Sequence, residues 1–433
     1  MTGSFAPESS VVYVASRLVV ETETIFSPGA VAEAGGNVLL AGTRNDVLRA
    51  VPAGFTVLEF PGAVILPGLV NAHTHLQIPR LPVPGGGHNR SCTFVEWILK
   101  VIRWKREEDP SSFPACYAAA AKEALSFGTT SVGEIAGPDL SVYAESPLRA
   151  RVFAEGIGFA TEAAPEVLAA VADGVRRLGE IAASNPLVLP GISPHTLFTV
   201  GEGLLRSLAG LAADGKLPSC LHLAESAAEM AFLANGEGEI ATRLYPAVGK
   251  DVSWFRGIGF PLREYLQRAG LLRDGLLLAH NVHLSRAEID ALREGGARFV
   301  LCPRSNAAHG NGEPDVTHFV DARIPFCLGT DSLASVTDLS PWAEMRVARS
   351  LYKGRRRDGG LCRELFRAVT ESGAAALGLP GGILAPGAPA DFAVVDDPGG
   401  GGNALFRNLI ERTERKNVRF AVVCGRPAHG DTA

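Results

Sequence analysis

The stretch Ile65-Leu-Pro-Gly-Leu-Val-Asn-Ala-His73-Thr-His75 decides how the chain is read. An apolar run ends in two histidines one residue apart. In a buried strand alternate side chains share a face, so both imidazoles would leave its C-terminal end in one direction. Two imidazoles on one side of a barrel strand are half of a divalent metal site. A hydrogen-bonded polar pair would have the same spacing, so the choice rests on what lies downstream.

From this strand onward, β-like and helical patterns alternate. Strands are predicted at 69–73, 129–134, 151–157, 187–193, 219–223, 275–280, 297–301 and 325–330. Helices are predicted at 113–127, 165–183, 202–213, 226–235, 285–295, 315–322 and 339–352. Alternation of this kind calls for a parallel sheet with crossover helices, and eight strands make the inventory of a (β/α)8 barrel. A doubly wound open sheet is the alternative, but no GxGxxG follows a strand to support a nucleotide fold. The flanks differ. Residues 10–60 hold short β-rich runs broken by Gly, Pro and Asn, and Ala390-Asp-Phe-Ala-Val-Val and Val418-Arg-Phe-Ala-Val-Val repeat that style near the C-terminus. Each end has too few strands to stand alone, so the two are expected to share one small sheet unit. The expected division is therefore 1–63 and 379–433 for a small β-sandwich domain and 64–378 for the barrel.

Barrel enzymes place their chemistry at the C-terminal ends of the strands. His73 and His75 end the first predicted strand, His195 follows the fourth, His222 and Glu225 close the fifth, His280 ends the sixth and Asp331 the eighth. His73, His75, His222 and Asp331 would offer one metal three imidazoles and a carboxylate. That donor set favours Zn²⁺, with Fe²⁺ as the alternative, over Mg²⁺ or Ca²⁺. A water in the open position would be acidified toward neutrality. Glu225, three residues past His222, could carry protons without being a ligand. His280 could polarise the water and the attacked centre.

The totals exclude other classes. A net charge of −5 over 433 residues gives no basic field for nucleic acid or an anionic membrane. Seven scattered cysteines, odd in number and without a CxxC, suit reduced thiols in a cytoplasm. Without a basic N-terminal region followed by an apolar core, and without an apolar run approaching 18 residues, the chain is expected to be neither secreted nor membrane-spanning. The expected partner is a small-molecule substrate.

Taken together, Val-Asn-Ala-His73-Thr-His75, Ser193-Pro-His195, His222-Leu-Ala-Glu225, Leu278-Ala-His280 and Gly329-Thr-Asp331-Ser332 resemble the amidohydrolase superfamily. More narrowly they resemble its cytosine/adenosine/guanine deaminase and triazine chlorohydrolase branch. The resemblance runs from about residue 10 to 425. It implies a barrel with a split β-sandwich, the ligands and proton carriers just named, no carboxylated lysine, and a homodimer by family analogy. Asn-Ala-His-Thr-His-Leu followed by Thr93-Phe-Val-Glu96-Trp97-Ile is similar to the aminodeoxyfutalosine deaminases, as are His222-Leu-Ala-Glu-Ser and Cys302-Pro-Arg304-Ser-Asn306. Departures are Gln77 where Glu is expected, Asn281 in place of a Cys, and Thr196-Leu-Phe198 in place of Ala-Pro-Tyr.

The expected function is thus metal-dependent hydrolytic deamination of a 6-aminopurine nucleoside, with 6-amino-6-deoxyfutalosine of menaquinone biosynthesis as the substrate suggested by the resemblance. The alternatives are a guanine, cytosine or S-adenosylhomocysteine/methylthioadenosine deaminase, a triazine chlorohydrolase, or a binding relative without catalysis. Expected substrate contacts are His195, Ser332, Glu96, Trp97 and Arg304. Glu96 and Trp97 could instead anchor a helix. Arg304, Arg80 and Arg90 are the candidates for a substrate carboxylate, which favours a bidentate guanidinium; pairing of Arg304 with a structural carboxylate is the competing expectation. His88, His309, His318 and His429 read as surface residues, His283 as structural, and Cys302 and Cys327 as inert core.

Overall fold

The computed structural model describes residues 10–81, 93–159, 164–355 and 360–430. His88, Arg90 and Cys92 lie outside the described residues. Eight parallel strands form the central sheet: β1 (Leu69–Thr74), β2 (Thr129–Ile135), β3 (Arg149–Gly156), β4 (Val188–Pro194), β5 (Ser219–Leu223), β6 (Leu276–His280), β7 (Arg298–Leu301) and β8 (Phe326–Leu328). They pair strictly in chain order, so each crossover returns the chain to the neighbouring position. The strands are buried on both faces, which is why they read as continuous apolar runs rather than as alternation.

β1 and β8 bring the two ends of the sheet together. The Asp331 N–H donates to the His73 carbonyl at 3.0 Å, and Thr74 bridges Asp331 in parallel register. Asn71 clasps the same junction: its Nδ2 donates to Thr330 Oγ1 at 2.7 Å while its Oδ1 accepts from Thr330 N at 2.9 Å. Gly329 permits the approach, because a Cβ there would lie 2.7–3.0 Å from His73 atoms. Barrel closure therefore sets the spacing of the first histidines from Asp331.

The two chain ends build one mixed sheet, as expected. Its order is Arg426–His429, Val418–Val423, Phe392–Asp396, Thr56–Pro67, Val11–Glu21, Gly29–Ala34, Asn37–Thr43, with Thr24–Phe26 paired on Val11–Glu21. Thr56–Pro67 is the seam: parallel to Val11–Glu21 on one side, antiparallel to Phe392–Asp396 on the other. It continues to Pro67, two residues before β1 begins, so this sheet directly anchors the first histidine strand. Tyr13, Ile65, Phe392 and Phe420 fill its core, with Tyr13 edge-on to Phe392 at 4.7 Å between ring centroids.

Several helices escape the sequence pattern. Phe94–Glu107 lies across the cavity mouth and starts at a capping box, in which Thr93 Oγ1 accepts from Glu96 N and the Glu96 carboxylate from Thr93 N. Gly360–Ala368, Glu371–Leu377 and Asn403–Arg412 pack beyond β8 and join barrel to small sheet.

A buried ion pair makes the same connection. Arg149 at the start of β3 donates from Nε to Asp391 Oδ2 at 2.6 Å, and Asp391 Oδ1 also accepts from Cys424 N. The two side chains are 7% and 3% exposed. Removing one partner leaves a buried charge without compensation, which costs about 3–5 kcal/mol. Arg149→Leu is therefore expected to lower unfolding stability by about that amount in urea titrations. The double variant Arg149→Leu/Asp391→Leu should recover much of the loss.

Candidate active site

The site is assembled from strand ends and the turns that follow them. His73 and His75 lie on β1 and at its exit. Behind them Glu134, at the end of β2, accepts from Thr74 Oγ1 at 2.6 Å and from Leu76 N at 2.9 Å, which fixes the turn carrying His75. Burial pushes the Glu134 carboxyl up to about 8 against these hydrogen bonds. His222, on β5, donates from Nδ1 to the His195 carbonyl at 2.9 Å, which leaves Nε2 as the free donor atom for a metal. Glu225 follows on a turn held by Glu229, whose carboxylate accepts from Ala224 N and Glu225 N at 2.9 and 2.8 Å. His280 ends β6 with Nδ1 2.9 Å from Asn306 Oδ1, and Ser305 Oγ donates to Asp331 Oδ2 at 2.7 Å.

These groups converge. His75 Nε2 stands 3.4 Å from His222 Nε2 and 3.5 Å from Asp331 Oδ1. The rings of His73 and His222 are 4.8 Å apart, and His280 Nε2 is 3.7 Å from Glu225 Oε2. In each of two triads, His73/His75/Asp331 and His73/His222/His280, one donor atom per residue lies within 4.8 Å of the others. Both ring nitrogens of His73 are buried without a hydrogen-bond partner among the described residues. A buried imidazole orphaned at the centre of such a donor set fits a divalent metal, and the residues present can hold one.

Backbone strain collects here. Ala224, His280, Asn281 and Asp331 have φ of 52°, 75°, 58° and 65°, left-handed conformations that cost non-glycine residues about 1–3 kcal/mol each. The turns that aim these side chains are thus over-determined by the barrel around them.

Electrostatics sort the groups. Burial, and then the neighbouring imidazoles, keep His73 and His222 well below the ordinary histidine value, so both are neutral and able to ligate. Burial and the Asp331 charge push Glu225 well above the carboxylate range. Burial acts on Asp331 in the same sense, but His75, His280 and the Ser305 hydroxyl outweigh it and hold this carboxyl low. Two carboxyls facing one cavity are thereby driven apart, one toward the acid form and one toward the base.

A cavity of about 480 Å³ opens over the cluster. His75, His195, His222, Glu225, His280, Asp331, Ser332 and Trp97 all line it, so the structure brings these expected residues together. Two expected contacts are corrected. Arg304 does not reach the cavity: its guanidinium is held by Asp338 at 2.9 Å, Thr337 at 2.9 Å and Glu344 at 3.6 Å. Glu96 caps its own helix and pairs with Arg243 at 2.8 Å. Arg80 is likewise engaged, by Glu123 at 2.8 Å and the Thr337 carbonyl.

Two of the surface histidines are corrected as well. His309 stacks on Trp97 with centroids 4.3 Å apart, and burial lowers it to about 4. His318 pairs with Asp290 at 3.1 Å. His283 is structural as expected, bonded to the Asn311 carbonyl at 2.8 Å, and Cys302 and Cys327 are fully buried. Glu134, Glu155 and Glu229 join the site without a sequence expectation, and Asn306, expected only as part of its motif, joins it as the partner of His280. The available signal was an isolated acid at the end of an apolar strand, as in Thr-Thr-Ser-Val-Gly-Glu134 and Val-Phe-Ala-Glu155.

Among the described residues no helix is long and apolar enough to cross a membrane. Residues 64–427 match the amidohydrolase family. The 5-methylthioadenosine/S-adenosylhomocysteine deaminase of Nitratidesulfovibrio vulgaris is 30% identical over 423 residues, covering 94% of this chain and 89% of the relative. The aminodeoxyfutalosine deaminase of Deinococcus radiodurans is 30% identical over 336 residues, covering 76% and 77%. Among solved structures, an adenosine deaminase from Xanthomonas campestris with bound zinc superposes with a TM-score of 0.77 at 27% identity, covering 98% of this chain and 93% of that one. With this match spanning the barrel and the C-terminal strands, the chain belongs to the amidohydrolase family, as a carbon–nitrogen hydrolase on its deaminase branch.

Proposed function

We propose that the chain is a metal-dependent hydrolytic deaminase of 6-aminopurine nucleosides. The observation that carries this reading is the pair of carboxyls set among the imidazoles at the cavity: Asp331 Oδ1 lies 3.5 Å from His75 Nε2 and Glu225 Oε2 3.7 Å from His280 Nε2. Burial drives Glu225 toward its protonated form, and the facing histidines hold Asp331 toward its ionised form. Ring deamination needs that pair, because one nitrogen must be protonated while a water is deprotonated nearby.

A divalent metal held by His73, His75, His222 and Asp331 would supply an activated water as nucleophile. We assign zinc, with Fe²⁺ as the alternative, from the imidazole-rich donor set. Glu225 donates its proton to the ring nitrogen beside the amine-bearing carbon and so removes aromatic stabilisation at that bond. Asp331 takes the proton of the attacking water and passes it to the amine, which leaves as ammonia. His280, oriented by Asn306, stabilises charge on the attacking oxygen. Trp97, Phe198 and Tyr245 enclose the apolar part of the cavity and exclude bulk water from the ring.

The relatives favour a nucleoside with a substituent at its 5′ end, and aminodeoxyfutalosine is one such candidate. Arg304 and Arg80 are engaged elsewhere; among the described residues the cations lining the cavity are Lys105, Arg106 and Lys250. A cytoplasmic homodimer is part of the same proposal.

His73→Ala is expected to lose bound metal, read by mass spectrometry, and ammonia release together, while circular dichroism stays that of the folded barrel. Near-normal turnover without this ligand would refute metal-assisted hydrolysis. Glu225→Gln should retain its metal but lose about 10²-fold or more in kcat, since proton delivery is removed. Loss of the metal from this variant would instead make Glu225 a ligand. The pH profile of kcat/KM should fall on the acid side as Asp331 takes up a proton, and on the alkaline side as Glu225 gives its proton up.

A further inference from the structure

Glu155, Glu225 and Asp331 line the cavity beside the imidazole cluster, and the chemistry above uses Glu225 and Asp331. The third is Glu155, at the C-terminal end of β3. Its side chain is 12% exposed, and Oε1 is buried with no hydrogen-bond partner among the described residues. His195 Nε2 stands 4.0 Å from this oxygen, beyond hydrogen-bond distance. His195 does not need Glu155 for its orientation, because its Nδ1 is already 2.8 Å from Thr199 Oγ1. An unpaired buried carboxylate oxygen is costly to leave in a fold, so this one points to a donor that arrives with the ligand.

Placement says which part of the ligand that is. His280 ends β6, Glu225 follows β5 and Asp331 follows β8, whereas Glu155 and His195 stand on β3 and β4. A purine whose six-membered ring meets Glu225 and Asp331 turns its five-membered ring, and the sugar attached there, away from them. The same cavity is lined by Ile98, Ile102, Phe159 and Trp254, whose side chains offer the sugar no acceptors, and by Lys105, Arg106 and Lys250, which are donors; the Asp251 carboxylate is engaged by Ser253. Vicinal hydroxyls are two donors at the spacing that one carboxylate accepts. We propose that Glu155 is a specificity-determining residue that accepts hydrogen bonds from the vicinal hydroxyls of the nucleoside sugar. The inference rests on the nucleoside reading of the same site. A residue that merely tuned His195 or His75 would affect all substrates alike; a hydroxyl acceptor separates substrates by their hydroxyls.

The test compares adenosine with 2′,3′-dideoxyadenosine on the metal-loaded wild type, Glu155→Gln and Glu155→Ala, with metal content and circular dichroism as controls. Affinity is read as KM, or as Ki against adenosine where turnover of the dideoxynucleoside is slow. In Glu155→Ala the preference for adenosine over the dideoxynucleoside should shrink by about 10–100-fold, mainly through KM for adenosine. Glu155→Gln keeps the shape and one acceptor oxygen and should shrink it less, by about threefold or more. If the alanine variant fails to fold, the glutamine variant decides alone. A preference within about threefold of wild type in the alanine variant, or unchanged in the glutamine variant where that decides, overturns the role of Glu155 and leaves the deaminase reading standing. A wild type that releases ammonia from no 6-aminopurine nucleoside overturns both.

Discussion

Everything in this fold answers to the cost of gathering four imidazoles and two carboxyls at one buried point. Groups packed this closely cannot all be charged. Burial and mutual repulsion keep His73 and His222 neutral, and Asp331 stays ionised because histidines and Ser305 face it. Glu225 faces that ionised carboxylate from a desolvated position and is driven toward the protonated form. The protonation pattern needed for hydrolysis is therefore a consequence of packing density, provided the backbone does not relax. Closure of β1 on β8 through Asn71, Thr330 and the glycine at 329 prevents that relaxation. The left-handed residues at Ala224, His280, Asn281 and Asp331 show where the backbone bears the strain.

The small sheet contributes at a distance. Thr56–Pro67 lies at its centre and hands the chain almost directly to β1, so the strand bearing His73 begins from a fixed point. The buried pair of Arg149 with Asp391 fixes the start of β3, whose other end carries Glu155. Both terminal segments thus anchor the starts of strands whose other ends carry His73 and Glu155, although none of their described residues lines the cavity.

The parts of the sequence that were legible are those whose meaning is local. Strands buried on both faces announce themselves as apolar runs, and histidines at their ends cannot be core packing five times over. The Thr93-x-x-Glu96 capping box was also readable, and it would have placed Glu96 in a helix start rather than in the cavity. What could not be read is direction. Arg304 does follow the seventh strand as expected, yet its guanidinium turns to Asp338 and Glu344, 34 and 40 residues further along the chain. His309 sits in a polar, glycine-rich stretch that reads as surface, but the fold lays it on Trp97. Glu134 and Glu155 are visible as acids closing apolar strands, but what they meet, like what Asn306 meets, is set by residues distant in sequence. The helices from 360 to 412 were hidden because their apolar faces are short: Gly360–Ala368 and Asn403–Arg412 pack on one another, and Glu371–Leu377 meets β1 and β8 through small residues such as Gly373 and Ala374.

On the proposed reading, a metal held by the histidine cluster makes this protein a deaminase of 6-aminopurine nucleosides. The most direct measurement is ammonia release from adenosine and its 5′-substituted analogues before chelation, after it, and after return of one equivalent of zinc. The account predicts one ammonia per nucleoside converted, loss of turnover with the metal, and recovery on its return. Protein carrying a full equivalent of zinc that releases no ammonia from any of these nucleosides would contradict it.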